Sequence, residues 1–121
     1  MGTEGFRELR VWQAAKGLAV EVYRISTTGP LAKDFGLRDQ VRRAAVSIPS
    51  NIAEGDERDT NRDSVRFLYI AKGSLAELRT QLEIAREVGL LPPEEQRRLE
   101  QDCAEIGRMQ GALIKARAEH P

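Results

Sequence analysis

One cysteine and one histidine are all that these 121 residues offer to soft-metal or imidazole chemistry. The lone Cys103 excludes an intrachain disulfide and a multi-cysteine zinc site, and at core spacing in a late helical segment it reads as a small buried hydrophobe. His120 stands next to the C-terminus, so no histidine triad and none of the Glu-x-x-His pairs of a di-iron bundle can be built. Charge of one sign is missing too: 19 basic and 19 acidic side chains cancel. A polyanion would therefore have to be met by a local patch, or by one concentrated through assembly. No apolar run approaches the roughly 18 residues of a membrane span, and the opening Met-Gly-Thr-Glu-Gly-Phe-Arg carries no apolar signal region. The expected location is the cytoplasm, with no membrane partner. Strand-like alternation, low-complexity sequence and a second domain are absent, and the length fits one domain with a real core.

Helical periodicity fills the chain. Leu9, Trp12, Ala15, Ala19 and Val22 recur at three- and four-residue steps and predict a first helix over roughly residues 7 to 27. Thr27-Thr28-Gly29-Pro30 stops it, and a connection runs to about Gly36. Leu37, Val41, Ala44, Ala45, Ile48 and Ile52 share a third of the circumference of a second helix, roughly 37 to 58. Inside it Pro49 removes one ladder hydrogen bond and crowds the carbonyl of Ala45, so a bend is expected there. Thr60 with Asp63 reads as a cap for a third helix, roughly 62 to 88, whose Leu68, Ala71, Leu75, Leu78, Leu82 and Ala85 form a heptad seam. Gly89 closes it. Pro92-Pro93-Glu94-Glu95 suits the first turn of a fourth helix, roughly 93 to 117, with Leu99, Cys103, Ile106, Gln110 and Leu113 inward. Gly107 and Gly111, one turn apart, permit close approach of another helix. Four helices with short connections predict an all-α fold, an antiparallel up-down-up-down four-helix bundle. Phe67, Tyr69, Ile70, Ile84 and Val88 fall off the seam, and a second subunit is the simplest cover for them.

Ser47 to Gly55, S-I-P-S-N-I-A-E-G, sets Asn51 and Glu54 into the second helix beside Ile48 and Ile52, where unpaired polar groups are costly. Gln40, Ser47, Asn51, Glu54 and Arg58 form a stripe about 100° around from the core direction, and Ser74, Glu77 and Gln81 form a comparable one on the third helix, with Gly73 allowing close approach. Two readings stand. The stripes pair with each other and fix helix register, or they open to a pocket or subunit interface and hold a ligand. Arg38, Arg42 and Arg43 on the second helix and Arg62, Arg66 and Lys72 on the third form the candidate nucleic-acid patch, able to line one rim of an assembly that repeats it. The alternative is a solvated face paired with Asp39 and Asp63. Glu54 and Glu57 resemble the spaced acids with which all-α nucleotide pyrophosphohydrolases hold magnesium, but two further carboxylates, such as Glu77 and Glu83, would have to face them. Ala71-Lys72-Gly73-Ser74 lacks the upstream glycine of a phosphate-binding loop. No catalytic residue, metal site or cofactor is assigned.

Three blocks carry a family resemblance: F-R-E-L-R-V-W-Q-A-A (Phe6 to Ala15), G-L-R-D-Q-V-R-R-A-A-V-S-I-P-S-N-I-A-E-G (Gly36 to Gly55) and F-L-Y-I-A-K-G-S-L-A-E-L-R-T-Q-L (Phe67 to Leu82). In order and spacing they resemble the small four-helix-bundle proteins encoded within intervening sequences of bacterial 23S ribosomal RNA genes. The resemblance implies a ring-shaped homopentamer and kinship with the accessory protein of diversity-generating retroelements, a similar bundle thought to bind nucleic acid and a reverse transcriptase. The expected function is a non-enzymatic oligomeric scaffold that associates with RNA or DNA. The alternatives are a protein–protein adaptor ring and a magnesium-dependent nucleotide pyrophosphohydrolase.

Overall fold

Apolar steps of three and four residues become buried helix faces. The computed structural model describes residues 5–120, so the Met-Gly-Thr-Glu start read above for a signal region lies outside the described residues. A 3₁₀ turn, Gly5–Glu8, leads into α1 (Arg10–Ile25), a short α2 (Gly29–Lys33), α3 (Phe35–Asp56), α4 (Asn61–Glu87) and α5 (Pro93–Ala118), with no strand among the described residues. The chain is all-α, and no helix is long and apolar enough to cross a membrane among the described residues.

Local chemistry explains the ends. Thr60 accepts a hydrogen bond from the backbone N–H of Asp63 at 3.2 Å and so caps α4. At the other end of α4, Gly89 takes φ +81°, its N–H reaches the Arg86 carbonyl, and the Leu90 N–H reaches that of Ala85 at 2.8 Å. That pair of bonds is a Schellman motif, which a residue with a Cβ would strain. The expected connection over 29–36 is instead partly helical: Gly29 at φ +77° admits the turn, Pro30 fits the first turn of α2, and Asp34 caps α3 through the Leu37 N–H at 3.0 Å. Pro49 does not break α3, which is helical on both sides of it.

In the bundle, α3 packs on α1 and α4, and α5 packs on α1 and α4. Contacts step in opposite directions along neighbours. Ser47 meets Ser74 while Gly55 meets Ser64, and Arg79 meets Glu100 while Ser64 meets Arg117. The expected seams are buried on α4 and, apart from the partly buried Leu37, on α3, whereas on α1 the core is centred on Val11, Ala15, Leu18 and Val22, leaving Trp12 at its edge. At Gly55 α3 lies tightly against α4: a Cβ there would lie 3.0 Å from the Ser64 carbonyl oxygen and 3.2 Å from the Phe67 Cβ. Gly107 and Gly111 have no such role, since a Cβ at the first meets only Leu75 at an ordinary 3.6 Å and at the second meets nothing. Gly73 likewise faces open space.

Two polar features sit in this apolar frame. Arg117 donates to Asp56 at 2.6 Å and to Ser64 at 2.5 Å, joining the end of α3, the start of α4 and the end of α5. Gln110 is 0% exposed on the core face of α5, between Ile106 and Ile114, and neither atom of its amide has a hydrogen-bonding partner among the described protein groups.

Candidate functional site

The signature stripe of α3 runs along the α3–α4 seam and resolves into three environments. At its centre the Ser47 and Ser74 hydroxyls lie 2.8 Å apart, and the Asn51 amide donates to the Ser47 carbonyl at 2.8 Å and its hydroxyl at 2.9 Å. Only the Ser47–Ser74 bond crosses the seam; both Asn51 bonds return to its own helix, so Asn51 does not pair with α4 as the register-fixing reading expects. At one end Gln40, Arg43, Ala44, Ser47, Glu77 and Gln81 line an open recess of about 300 Å³. Gln81 is buried there with its Oε1 unpaired, while Gln40 and Glu77 are exposed. At the other end Glu54 is not a core residue: its side chain is 54% exposed and pairs with Arg58 at 2.9 Å. Asn51 is half-buried. The physical reason is angular, because a stripe 100° from the core direction borders the neighbouring helix without entering the core.

The six candidate basic residues do not make one rim. Ser47 is level with Ser74, so opposite progress along the two helices puts Arg38, Arg42 and Arg43 level with the last third of α4. Arg62 and Arg66 lie near the start of α4, roughly 20–30 Å away at 1.5 Å per residue. Their roles differ as well. Arg42 donates to the Ser26 hydroxyl at 2.8 Å and the Ser26 carbonyl at 3.2 Å, which satisfies the end of α1. Arg38 reaches Asp39 at 3.0 Å and the Ala32 carbonyl at 3.3 Å. Arg43, Arg62, Arg66 and Lys72 are exposed and join no ion pair among the described residues.

Aromatic side chains supply a pattern that the basic residues alone conceal. The buried apolar core contains no Phe, Tyr or Trp, and each of the six aromatics carries a cation over its ring. Arg7 lies over Phe6, Lys16 over Trp12, Arg42 over Tyr23 and Arg38 over Phe35, at 4.4 to 5.1 Å from the ring centroid. Arg58 and Arg66 both cover Phe67, and Lys72 stands near Tyr69. Separations below about 6 Å are cation–π contacts.

The model of the 23S rRNA-intervening sequence protein family matches residues 7–112. This chain belongs to that family. A solved structure of a protein of unknown function from the S23 ribosomal protein family of Bacteroides thetaiotaomicron VPI-5482 is similar in fold: the TM-score is 0.79 at 24% identity, over 87% of this chain and 98% of that one. No curated protein matches the sequence. The family match spans the seam, the arginines of α3 and all the aromatics except Phe6.

Within this family member the acids stay apart. No group of three or more His, Cys, Asp or Glu converges among the described residues, and Glu54 is occupied by Arg58 instead of facing Glu77 and Glu83. Cys103 is fully buried, and burial pushes its thiol up to about 12. Such a thiol is packing material, since nucleophilic attack needs the thiolate. Sequence reading missed the Asp56–Arg117–Ser64 junction and the cation-covered rings. The second had a local signal, an aromatic followed three or four residues on by Lys or Arg, in Trp12/Lys16, Phe35/Arg38 and Tyr69/Lys72.

Proposed function

We propose that this protein is a non-enzymatic, cytoplasmic homo-oligomeric scaffold that associates with RNA or DNA. The observation that carries the reading is the exposed flank of α4 beside the seam, where Ile70, Ile84 and Val88 stand in solvent within about 40° of one another. Aliphatic side chains aligned on one flank are what a second copy would cover. The resemblance in sequence makes a pentamer the expected assembly. Repetition around a ring turns a few exposed cations per chain, among them Arg43, Arg62, Arg66 and Lys72, into many contacts on one polyanion, which answers the zero net charge of the monomer.

The test combines mass by light scattering with titration of labelled RNA and DNA at low and moderate salt. A mass near five chains, with affinity falling steeply as salt rises and weakened by Arg43→Gln/Arg62→Gln, supports the scaffold. Arg42 is a poor choice for substitution because it holds the end of α1. A monomer that binds neither nucleic acid refutes the reading. Salt-insensitive capture of a protein partner by the assembled ring replaces it with an adaptor.

A further inference from the structure

Four of the six cation-covered rings share one face, the one formed by α1 and α3. Phe6 packs edge-on to Trp12 with centroids 5.1 Å apart, and it borders Ala53 and Glu57 of α3. Lys16 follows Trp12 by one turn. Tyr23 follows Lys16 by two turns and lies under Arg42 of α3. Phe35, under Arg38, then stands two turns before Arg42 on α3. From Phe6 to Phe35 the row is roughly 30 Å long at 1.5 Å per helical residue.

Core packing and charge pairing account for only part of this row, since Trp12 packs at the core edge and Arg38 pairs with Asp39. Tyr23 is 46% and Phe35 65% exposed, so these rings are spent on solvent in a protein whose buried core is otherwise aliphatic. Lys16 and Arg42 have no carboxylate partner among the described residues. An open ring stacks on a base, guanidinium groups stack on bases as well, and the ammonium and guanidinium charges attract phosphate. Bases in a duplex already stack on each other and present no free face. Unpaired bases do.

We propose that the α1–α3 face is a stacking track for a single-stranded nucleic acid, with Trp12, Tyr23 and Phe35 receiving bases and Lys16, Arg38 and Arg42 flanking the phosphates. This rests on the nucleic-acid reading above and narrows it to unpaired strands and to residues outside the basic set read from the sequence, Arg38 and Arg42 excepted. The length of the row suits the lower end of the ~4–16 nucleotides that a single-strand groove spans.

The chain contains one tryptophan, so Trp12 fluorescence reports on the track without labelling. The experiment titrates the full-length protein with a 12-nucleotide oligo-uridine strand, its DNA counterpart and a 12-base-pair duplex, following Trp12 emission and the anisotropy of an end label. The expected result is quenching by the single strands, at least tenfold weaker binding of the duplex, and about tenfold loss of single-strand affinity for each of Tyr23→Leu and Phe35→Leu. Tyr23→Phe keeps the ring and should keep the affinity, which separates stacking from a change in folding. Equal binding of single strand and duplex, with no quenching and no response to Tyr23→Leu, overturns the track while leaving nucleic-acid association intact. Absence of any nucleic-acid binding removes both. Should Tyr23→Leu/Phe35→Leu instead lower the solution mass, the face is a contact between copies and the track is refuted.

Discussion

Replacing Gln110 by leucine should make the protein more stable, although it deletes a polar side chain from a family member whose other buried polar groups are mostly paired. Gln110 is fully buried between Ile106 and Ile114 on α5, with both amide atoms unpartnered among the described protein groups. An amide buried without hydrogen bonds costs about 1–3 kcal/mol in protein mutational series. Leucine is close in size, so it removes that cost without opening a cavity and adds apolar contact to the same layer. The expected gain is about 1–3 kcal/mol. For a domain of this length unfolding entropy converts each kcal/mol to about 4 °C, so Tm should rise by roughly 4–12 °C. Thermal unfolding by circular dichroism, at one fixed protein concentration because any self-association would link Tm to concentration, measures it. Gln110→Ala is the control: it removes the amide and the stem together, and the void should offset or outweigh the gain. A fall in Tm for Gln110→Leu would refute the reasoning and show that the folded protein satisfies the amide, as an internal water can.

Gly55→Ala should destabilise by about 1–3 kcal/mol despite alanine's better helix propensity of about 1 kcal/mol, because the new Cβ meets a backbone oxygen of α4 that cannot rotate away; chemical denaturation measures the sign. Asp56→Ala leaves the Arg117 guanidinium without its carboxylate in a site where both side chains are only 18% exposed, and should cost about 1–3 kcal/mol. Asp56→Ala/Arg117→Ala should recover part of that loss, and a double-mutant cycle at fixed concentration checks the coupling. Cys103 should resist a thiol-specific disulfide reagent in the native protein at pH 8 and react once denaturant is added, since its thiol is held protonated by burial. Rapid native labelling would show that α5 opens away from the core.

The parts of the fold legible in the sequence are those decided within one helix. The Leu68-to-Ala85 seam follows from spacing alone, and Thr60 and Gly89 end α4 through bonds to residues three to five positions away. What was misread depends on neighbours. The first helix does end ahead of Gly29-Pro30, but the connection after it reads as plain loop, whereas Gly29-Pro30 opens a short helix, because proline suits a first turn as well as it ends a last one. Trp12 matches the three- and four-residue steps of α1, but the core is centred on Leu18 and Val22 and the indole falls on the flank. The same limit applies to the site. One averaged angle of about 100° hid a difference within the stripe: at 100° per residue Asn51 lies about 60° and Glu54 about 120° from Ile48, so Asn51 is half covered while Glu54 stands in solvent. Arg42 over Tyr23 joins residues 19 apart in sequence, and no local pattern announces it.

The position of α3 gives it a flank on each of two surfaces, the one proposed for assembly and the one proposed for binding. Ser47 and Arg42 lie about 110° to either side of its core direction, so one helix contributes a flank to the α4 seam and the opposite flank to the α1 face. A residue pattern read along α3 therefore mixes two surfaces, which is why its arginines and its polar stripe resist interpretation as one site. If copies meet across α4, where Ile70, Ile84 and Val88 are exposed, the α1–α3 face is left outward on each subunit. Assembly then need not compete with the strand for the same side chains. It would instead present the aromatic row at regular intervals around a ring, and the chain could stay charge-neutral because stacking, which needs no net charge, supplies part of the affinity at each interval.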